Sequence, residues 1–298
     1  MSARSARLAG ALAPLALGLL WGFNWPAVKF MLLELPPWTA RATGLLLSGP
    51  LLFALALARG DSVAVRRDDY GPLVAGALFT VAAMNILVAF AQIGAPTTRA
   101  TIVTFTMPLW ATVLAALILG ERIDARRALG VALGAAGLAA LAAPLLAADA
   151  FPPALWFALA SGFCWGLGTV IAKGWPVRAA PIAVAAWQLT LGGLVAAIGM
   201  LVFEGPPTRL PTRPETWAAL AYHVVLAQAL AYALWFGIIA RSTASAAAIG
   251  ALLVPAVGFS SSLALLGERP TAGDVAGLVL IIAAAASVNW PGRRKPAA

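Results

Sequence analysis

The side chains able to do chemistry in this chain are few, and most sit inside long apolar runs. They are one histidine (His223), one cysteine (Cys164), the amides Asn24, Asn85, Gln92, Gln188 and Gln228, and the hydroxyls of Thr101, Thr104, Thr106, Thr190, Tyr222, Tyr232 and Ser260 to Ser262. All eleven carboxylates, Glu34, Asp61, Asp68, Asp69, Glu121, Asp124, Asp149, Glu204, Glu215, Glu268 and Asp274, fall between those runs or at their ends. One histidine, one cysteine and no embedded carboxylate provide neither a metal-ligand set nor a nucleophile with its base, so no metal, cofactor or catalytic residue is expected. The residues that remain can recognise a ligand, since amides and hydroxyls hydrogen-bond while aromatic rings stack and bury area.

The most informative of these groups occurs twice. Gly18, Trp21, Gly22 and Lys29 recur as Gly162, Trp165, Gly166 and Lys173, each 144 positions later. A second set repeats at 147: Pro108 with Pro255, Gly120-Glu121-Arg122 with Gly267-Glu268-Arg269, Gly130 with Gly277, and Asn85 with Tyr232. The chain is therefore a duplicated unit, with three extra residues accommodated in the loop from Phe203 to Thr216.

The elements that must position these residues follow from composition. Of 298 residues 62% are hydrophobic and 10% charged, which is outside the range of a soluble domain and marks a polytopic membrane protein. Ten stretches reach spanning length: Leu8 to Met31, Trp38 to Ala58, Tyr70 to Ile93, Thr97 to Leu119, Ala128 to Leu146, Ala154 to Lys173, Pro181 to Phe203, Trp217 to Ala240, Ala244 to Leu266 and Ala272 to Trp290. The first is too long for a signal-peptide core and reads as an uncleaved helix.

Formal charge is +9. With the N-terminus inside, thirteen Lys and Arg residues fall on the cytoplasmic side: Arg4, Arg7, Arg59, Arg66, Arg67, Arg122, Arg126, Arg127, Arg178, Arg241, Arg293, Arg294 and Lys295. Five fall on the other, Arg41, Arg99, Arg209, Arg213 and Arg269, so the basic residues read as orientation signals and not as a nucleic-acid patch. Both termini are then cytoplasmic.

The fold class expected is an all-α integral membrane protein with ten transmembrane helices in two five-helix repeats, residues 1–147 and 148–298. Five is odd, so the second repeat enters from the opposite face, and the repeats are inverted. Trp21 and Trp165 fall near the bilayer centre, where an indole N–H needs a polar partner or a wet cavity. Gly18-x-x-x-Gly22 and Gly162-x-x-x-Gly166 are small-residue ridges expected to bring the first and sixth helices together, and the two tryptophans with them.

Ten residues are expected to face a central cavity: Trp21, Asn24, Asn85, Trp110, Trp165, Trp187, Gln188, Gln228, Tyr232 and His223. Gly22, Gly166, Pro108 and Pro255 are candidate hinges, and Lys29 and Lys173, at helix ends on opposite faces, are candidate gates or snorkelling residues. No fixed charge is expected in the cavity. Without an embedded carboxylate, carboxylate-based proton coupling and dedicated carriage of multivalent cations are disfavoured.

The joint pattern of Trp-Gly in the first helix of each half, then proline, Leu-Gly-Glu-Arg and glycine around the fourth and ninth helices, resembles the drug/metabolite transporter superfamily, EamA type. Within it the chain is similar to amino-acid exporters of bacterial inner membranes. The resemblance implies export of aromatic and other amino acids, or similar small metabolites, by alternating access. The partners implied are a small-molecule substrate and the lipid bilayer, with no nucleic acid and no obligate protein partner. An exporter of drugs or hydrophobic cations, held by cation–π contacts to the same tryptophans, is the alternative within transport; an intramembrane enzyme and a receptor are weaker ones.

Overall fold

The computed structural model describes residues 3–148, 150–235 and 244–289, with side chains for 15–148, 150–235 and 253–287. Every regular element among them is helical. In chain order these are α1 (Ala3–Met31), α2 (Pro37–Ala58), α3 (Arg67–Gly94), α4 (Thr97–Leu119), α5 (Ala125–Ala147), α6 (Leu155–Gly174), α7 (Pro181–Glu204), α8 (Pro214–Trp235), α9 (Ala244–Leu266) and α10 (Ala272–Asn289). Seven, α2 through α8, are by length and composition able to cross a membrane. Arg241, Arg293, Arg294, Lys295, and the expected helix ends at Ala240 and Trp290 lie outside the described residues.

Helix starts follow local chemistry. Proline stands in the first turn of α2, α7 and α8, where its fixed φ suits the helix and its missing N–H is no loss. Exposed N–H groups at helix starts are taken by carboxylates from distant parts of the chain. Glu204, at the end of α7, accepts from the Trp38 and Thr39 amides at 2.8 and 2.7 Å. Glu268, just beyond α9, accepts from Thr97 and Thr98 at 2.6 and 2.8 Å. Each carboxylate satisfies two orphan donors and meets the positive end of a helix dipole. Gly120 and Gly267, ending α4 and α9, have φ of 68° and 67°, the left-handed conformation that favours glycine.

The packing has an internal correspondence. α1 lies against α9 and α8, while α6 lies against α4 and α3; α2 meets α7 and α8, while α7 meets α2 and α3; α5 pairs with α10. For these main contacts, exchanging each helix for the one five places along gives the matching pair. Irregularity recurs in step too, since α3 winds as a π-helix over Ala77–Ala83 and α8 over Tyr222–Leu230.

The glycine ridges do not join α1 to α6. A methyl placed on Gly18 would sit 2.7 Å from Leu253 Cβ, and one on Gly22 would overlap Val257, both on α9. Methyls on Gly162 and Gly166 would sit 2.7 Å from the Thr104 carbonyl and 2.9 Å from the Ala111 nitrogen, on α4. Each ridge thus seats a helix of the other half, and small residues on one face reveal close approach without revealing the neighbour.

Pro108 and Pro255 behave differently despite their matched positions. α4 is interrupted at Phe105 and Thr106, because Pro108 cannot donate to the Thr104 carbonyl and its ring crowds it. α9 runs unbroken past Pro255.

Candidate functional site

Between the helices lies a cavity enclosing about 670 Å³ of empty space, counting its open mouth. α1 lines it with Trp21, Asn24, Trp25 and Val28, α2 with Arg41, and α3 with Thr80, Met84, Asn85, Val88 and Gln92. Thr104 and Phe105 come from the break in α4, Trp165 from α6, Tyr232 and Trp235 from α8, and Val254 from α9. On α3, positions 80, 84, 88 and 92 follow at intervals of four with 85 beside 84, so they share one face of that helix.

Trp21 is the hub of the aromatic wall. Its ring meets Trp165 edge to face, with centroids 6.5 Å apart and planes at 86°, and lies 5.6 Å from both Tyr232 and Trp235. Trp165 in turn stands edge to face with Phe105 at 5.6 Å. The Trp21 indole N–H donates to the Ala227 carbonyl at 2.9 Å, within the π-helical stretch of α8. The polar partner required of an indole far from water is thus a backbone carbonyl.

Of the ten residues expected on the wall, five line it: Trp21, Asn24, Asn85, Trp165 and Tyr232. The other five lie elsewhere. Trp110 packs edge to face on Phe163 at 5.4 Å, because its side of α4 is turned toward α6. Trp187 donates to the Val63 carbonyl at 2.9 Å and meets Phe53 edge to face at 5.0 Å, filling the seam between α7, α2 and the segment after it. Gln188 is buried where α7 crosses Gly76 of α3.

His223 and Gln228 form a buried network behind the wall. His223 is 0% exposed; its Nδ1 is 2.7 Å from Asn24 Oδ1, and Gln228 Nε2 is 3.4 Å from its Nε2. Amide groups thus flank both ring nitrogens. Residues five apart come together because the π-helical register of α8 stacks i on i+5. His223 therefore orients Asn24, which does reach the cavity.

The candidate gates have particular partners. Lys29 donates to the Gln92 carbonyl at the end of α3. Lys173 is bound by Glu121, which also holds Arg127 at 3.0 Å. Lys173, with Arg127, holds the Glu121 carboxyl below the usual carboxylate range.

Arg41 is the residue that sequence reasoning misplaced. Counted from sequence only as an orientation charge, it is the fifth residue of α2, 1% exposed, and on the cavity wall. Its Nη1 donates to Asn85 Oδ1 at 3.3 Å, and its Nε has no partner. Asn85 also donates to the Val81 carbonyl at 2.9 Å and shares a hydrogen bond with the Tyr232 hydroxyl. No carboxylate among the described residues forms an ion pair with Arg41. Gln92 was also passed over; it is 0% exposed, donates to the Trp25 carbonyl at 2.9 Å, and leaves Oε1 unpartnered.

Among the described residues no group of three His, Cys, Asp or Glu could hold a metal ion. A bundle of apolar helices around an aromatic cavity with polar groups on its wall has the form of a small-molecule transporter. The chain belongs to the EamA-like transporter family, which it matches twice, over residues 8–143 and again over 152–290. It is similar to the uncharacterized transporter YvbV of Bacillus subtilis, with 28% identity covering 94% of this chain and 91% of that one. It is also similar to a probable amino-acid metabolite efflux pump of Salmonella typhimurium, with 27% identity covering 89% of each chain. One crystal structure shares the fold at a TM-score of 0.69, with 21% identity over 94% of this chain and 96% of that one.

Proposed function

We propose that this chain exports amino acids, aromatic ones among them, or similar small metabolites across a bacterial inner membrane, as a secondary transporter. The observation that carries the reading is the cavity in which Trp21 and Trp165, equivalent residues of two matched halves, meet across its wall. Its aromatic surface suits an apolar or aromatic side chain, and its amides and hydroxyls suit the backbone groups of an amino acid. The name of the Salmonella relative points the same way.

The architecture proposed is ten transmembrane helices in two inverted five-helix repeats, residues 1–147 and 148–298, with both termini cytoplasmic. The exchange symmetry of helix neighbours, the matched π-helical stretches and the two family matches support it. Transport then proceeds by alternating access, the halves exchanging roles around the fixed site. Glu268 caps α4 and its counterpart Glu121 holds Lys173, so both carboxylates sit at helix ends where the halves meet. In this scheme Lys29, Lys173 and the Pro108 break belong to the gates, and Gly22 and Gly166 to the sliding seams.

The test is uptake by the purified protein in proteoliposomes, with labelled phenylalanine or threonine compared with a quaternary ammonium dye. The proposal expects the amino acids to move; transport of the dye alone would contradict it.

A further inference from the structure

Arg41 is a full positive charge on the wall of the cavity, held by one long hydrogen bond and answered by no carboxylate among the described residues. Charges in low-dielectric surroundings are kept where something pairs them, at least transiently. Asn85, its neighbour, is itself tied to the Val81 carbonyl and to Tyr232, so it fixes the guanidinium in position without neutralising it. The 144-residue repeat puts Ala185 at the matching position, so the cation belongs to one half only.

We infer that Arg41 is the anchor for a substrate carboxylate, and that a carboxylate, more than an ammonium group, is what the site requires. The inference rests on the transport reading above and specifies the substrate class of the same cavity. A guanidinium suits this role because it is planar, stays charged, and presents donors in a fork that matches a carboxylate. The wall offers nothing comparable to a cation, because its lining includes no acidic side chain and its polar groups are neutral apart from Arg41. An ammonium group would meet only amide and hydroxyl oxygens and ring faces. A hydrophobic cation entering the cavity would meet the Arg41 charge directly.

The experiment measures binding to the detergent-solubilised full chain by quenching of tryptophan fluorescence, with three probes: phenylalanine, 3-phenylpropionate and phenylalaninamide. The inference expects the two carboxylates to bind with similar affinity and the amide at least about tenfold more weakly, the factor expected from one charge-assisted pair. In Arg41→Gln that discrimination should collapse, and in Arg41→Lys it should be partly retained. An arginine that merely ties α2 to α3 would change folding yield without changing the ratio of acid to amide. Should Arg41→Gln fail to fold, the wild-type series decides alone. Equal binding of acid and amide by the wild type, no binding of either, or a ratio preserved in Arg41→Gln would each overturn the inference. Uptake of phenylalanine is measured separately: if phenylalanine is not transported while 3-phenylpropionate binds and the amide does not, the amino-acid reading falls and the anchor stands.

Discussion

Trp21 and Trp165, 144 positions apart in the chain, meet edge to face at 6.5 Å although the glycine ridges beside them seat different helices. The contact therefore depends on side chains reaching across the cavity and not on a shared backbone seam. Trp21 is additionally fixed by its N–H to the Ala227 carbonyl. Trp21→Phe keeps a ring and loses that bond. It is expected to cost about 1 kcal/mol, seen as a lower midpoint of thermal unfolding in detergent. An unchanged midpoint would mean that the bond contributes nothing.

The glycine ridges give a graded prediction. At Gly166 an added methyl would meet the backbone of α4, with the Ala111 nitrogen at 2.9 Å and the Met107 carbonyl at 3.1 Å, so only a helix shift can accommodate it. Gly166→Ala is expected to destabilise by about 1–3 kcal/mol. Gly71→Ala, where nothing lies within 4 Å, is expected to be neutral or slightly stabilising. Equal midpoints for the two variants would remove the case for a close α4–α6 seam.

Glu121 and Glu268 are equivalent by sequence, and the described contacts give each a different measurable role. Glu268 accepts from two amides at the start of α4, so Glu268→Gln is expected to cost about 1 kcal/mol, as loss of a helix cap does. Glu121 binds Lys173, which is 61% exposed, and Glu121→Gln is expected to stay within about 0.5 kcal/mol. Chemical unfolding of both variants followed by circular dichroism measures the difference. If Glu121→Gln proves the costlier, the populated conformation in detergent is not the one described.

Glu34 links the end of α1 to the start of α8, outside the spans. Hydrogen bonds from the Thr216 and Thr212 hydroxyls, with those from the Thr212 and Arg213 amides, pull its carboxyl from 4.5 down to about 2. A carboxylate whose pKa is lower in the folded state adds stability that is complete above its unfolded pKa and is lost as pH falls through the folded one. The difference in unfolding midpoint between wild type and Glu34→Gln should be constant from pH 7 to 5 and shrink between about pH 4.5 and 2. A difference that already shrinks between pH 7 and 6 would point to another titrating group.

Much of the helix layout is legible in sequence, because twenty apolar residues between charged turns leave little choice: the ends expected for α4 coincide with those observed, and those for α2, α3 and α6 differ by up to three residues. Partners were less legible. Gly22 and Gly166 announce close approach without naming a neighbour, so the expected α1–α6 seam became α1–α9 and α4–α6. Facing was least legible on α7 and α8. The π-helical register of α8 brings Gln228 onto His223 behind the wall, and no residue pattern reveals that winding. Arg41 escapes for a different reason: a basic residue in the first turns of a span reads as an orientation charge, and its turn toward the cavity depends on packing that the sequence does not display.

The central claim is that substrate passes through the cavity at Trp21 and Trp165. The most direct measurement is phenylalanine uptake by proteoliposomes containing wild type, Trp21→Ala or Trp165→Ala, with folding of each variant checked by its elution as a single species in detergent. The account predicts a loss of initial rate of about tenfold or more in each folded variant, from removal of a stacking and packing surface. Wild-type rates in both would contradict it and leave the two tryptophans as packing residues alone.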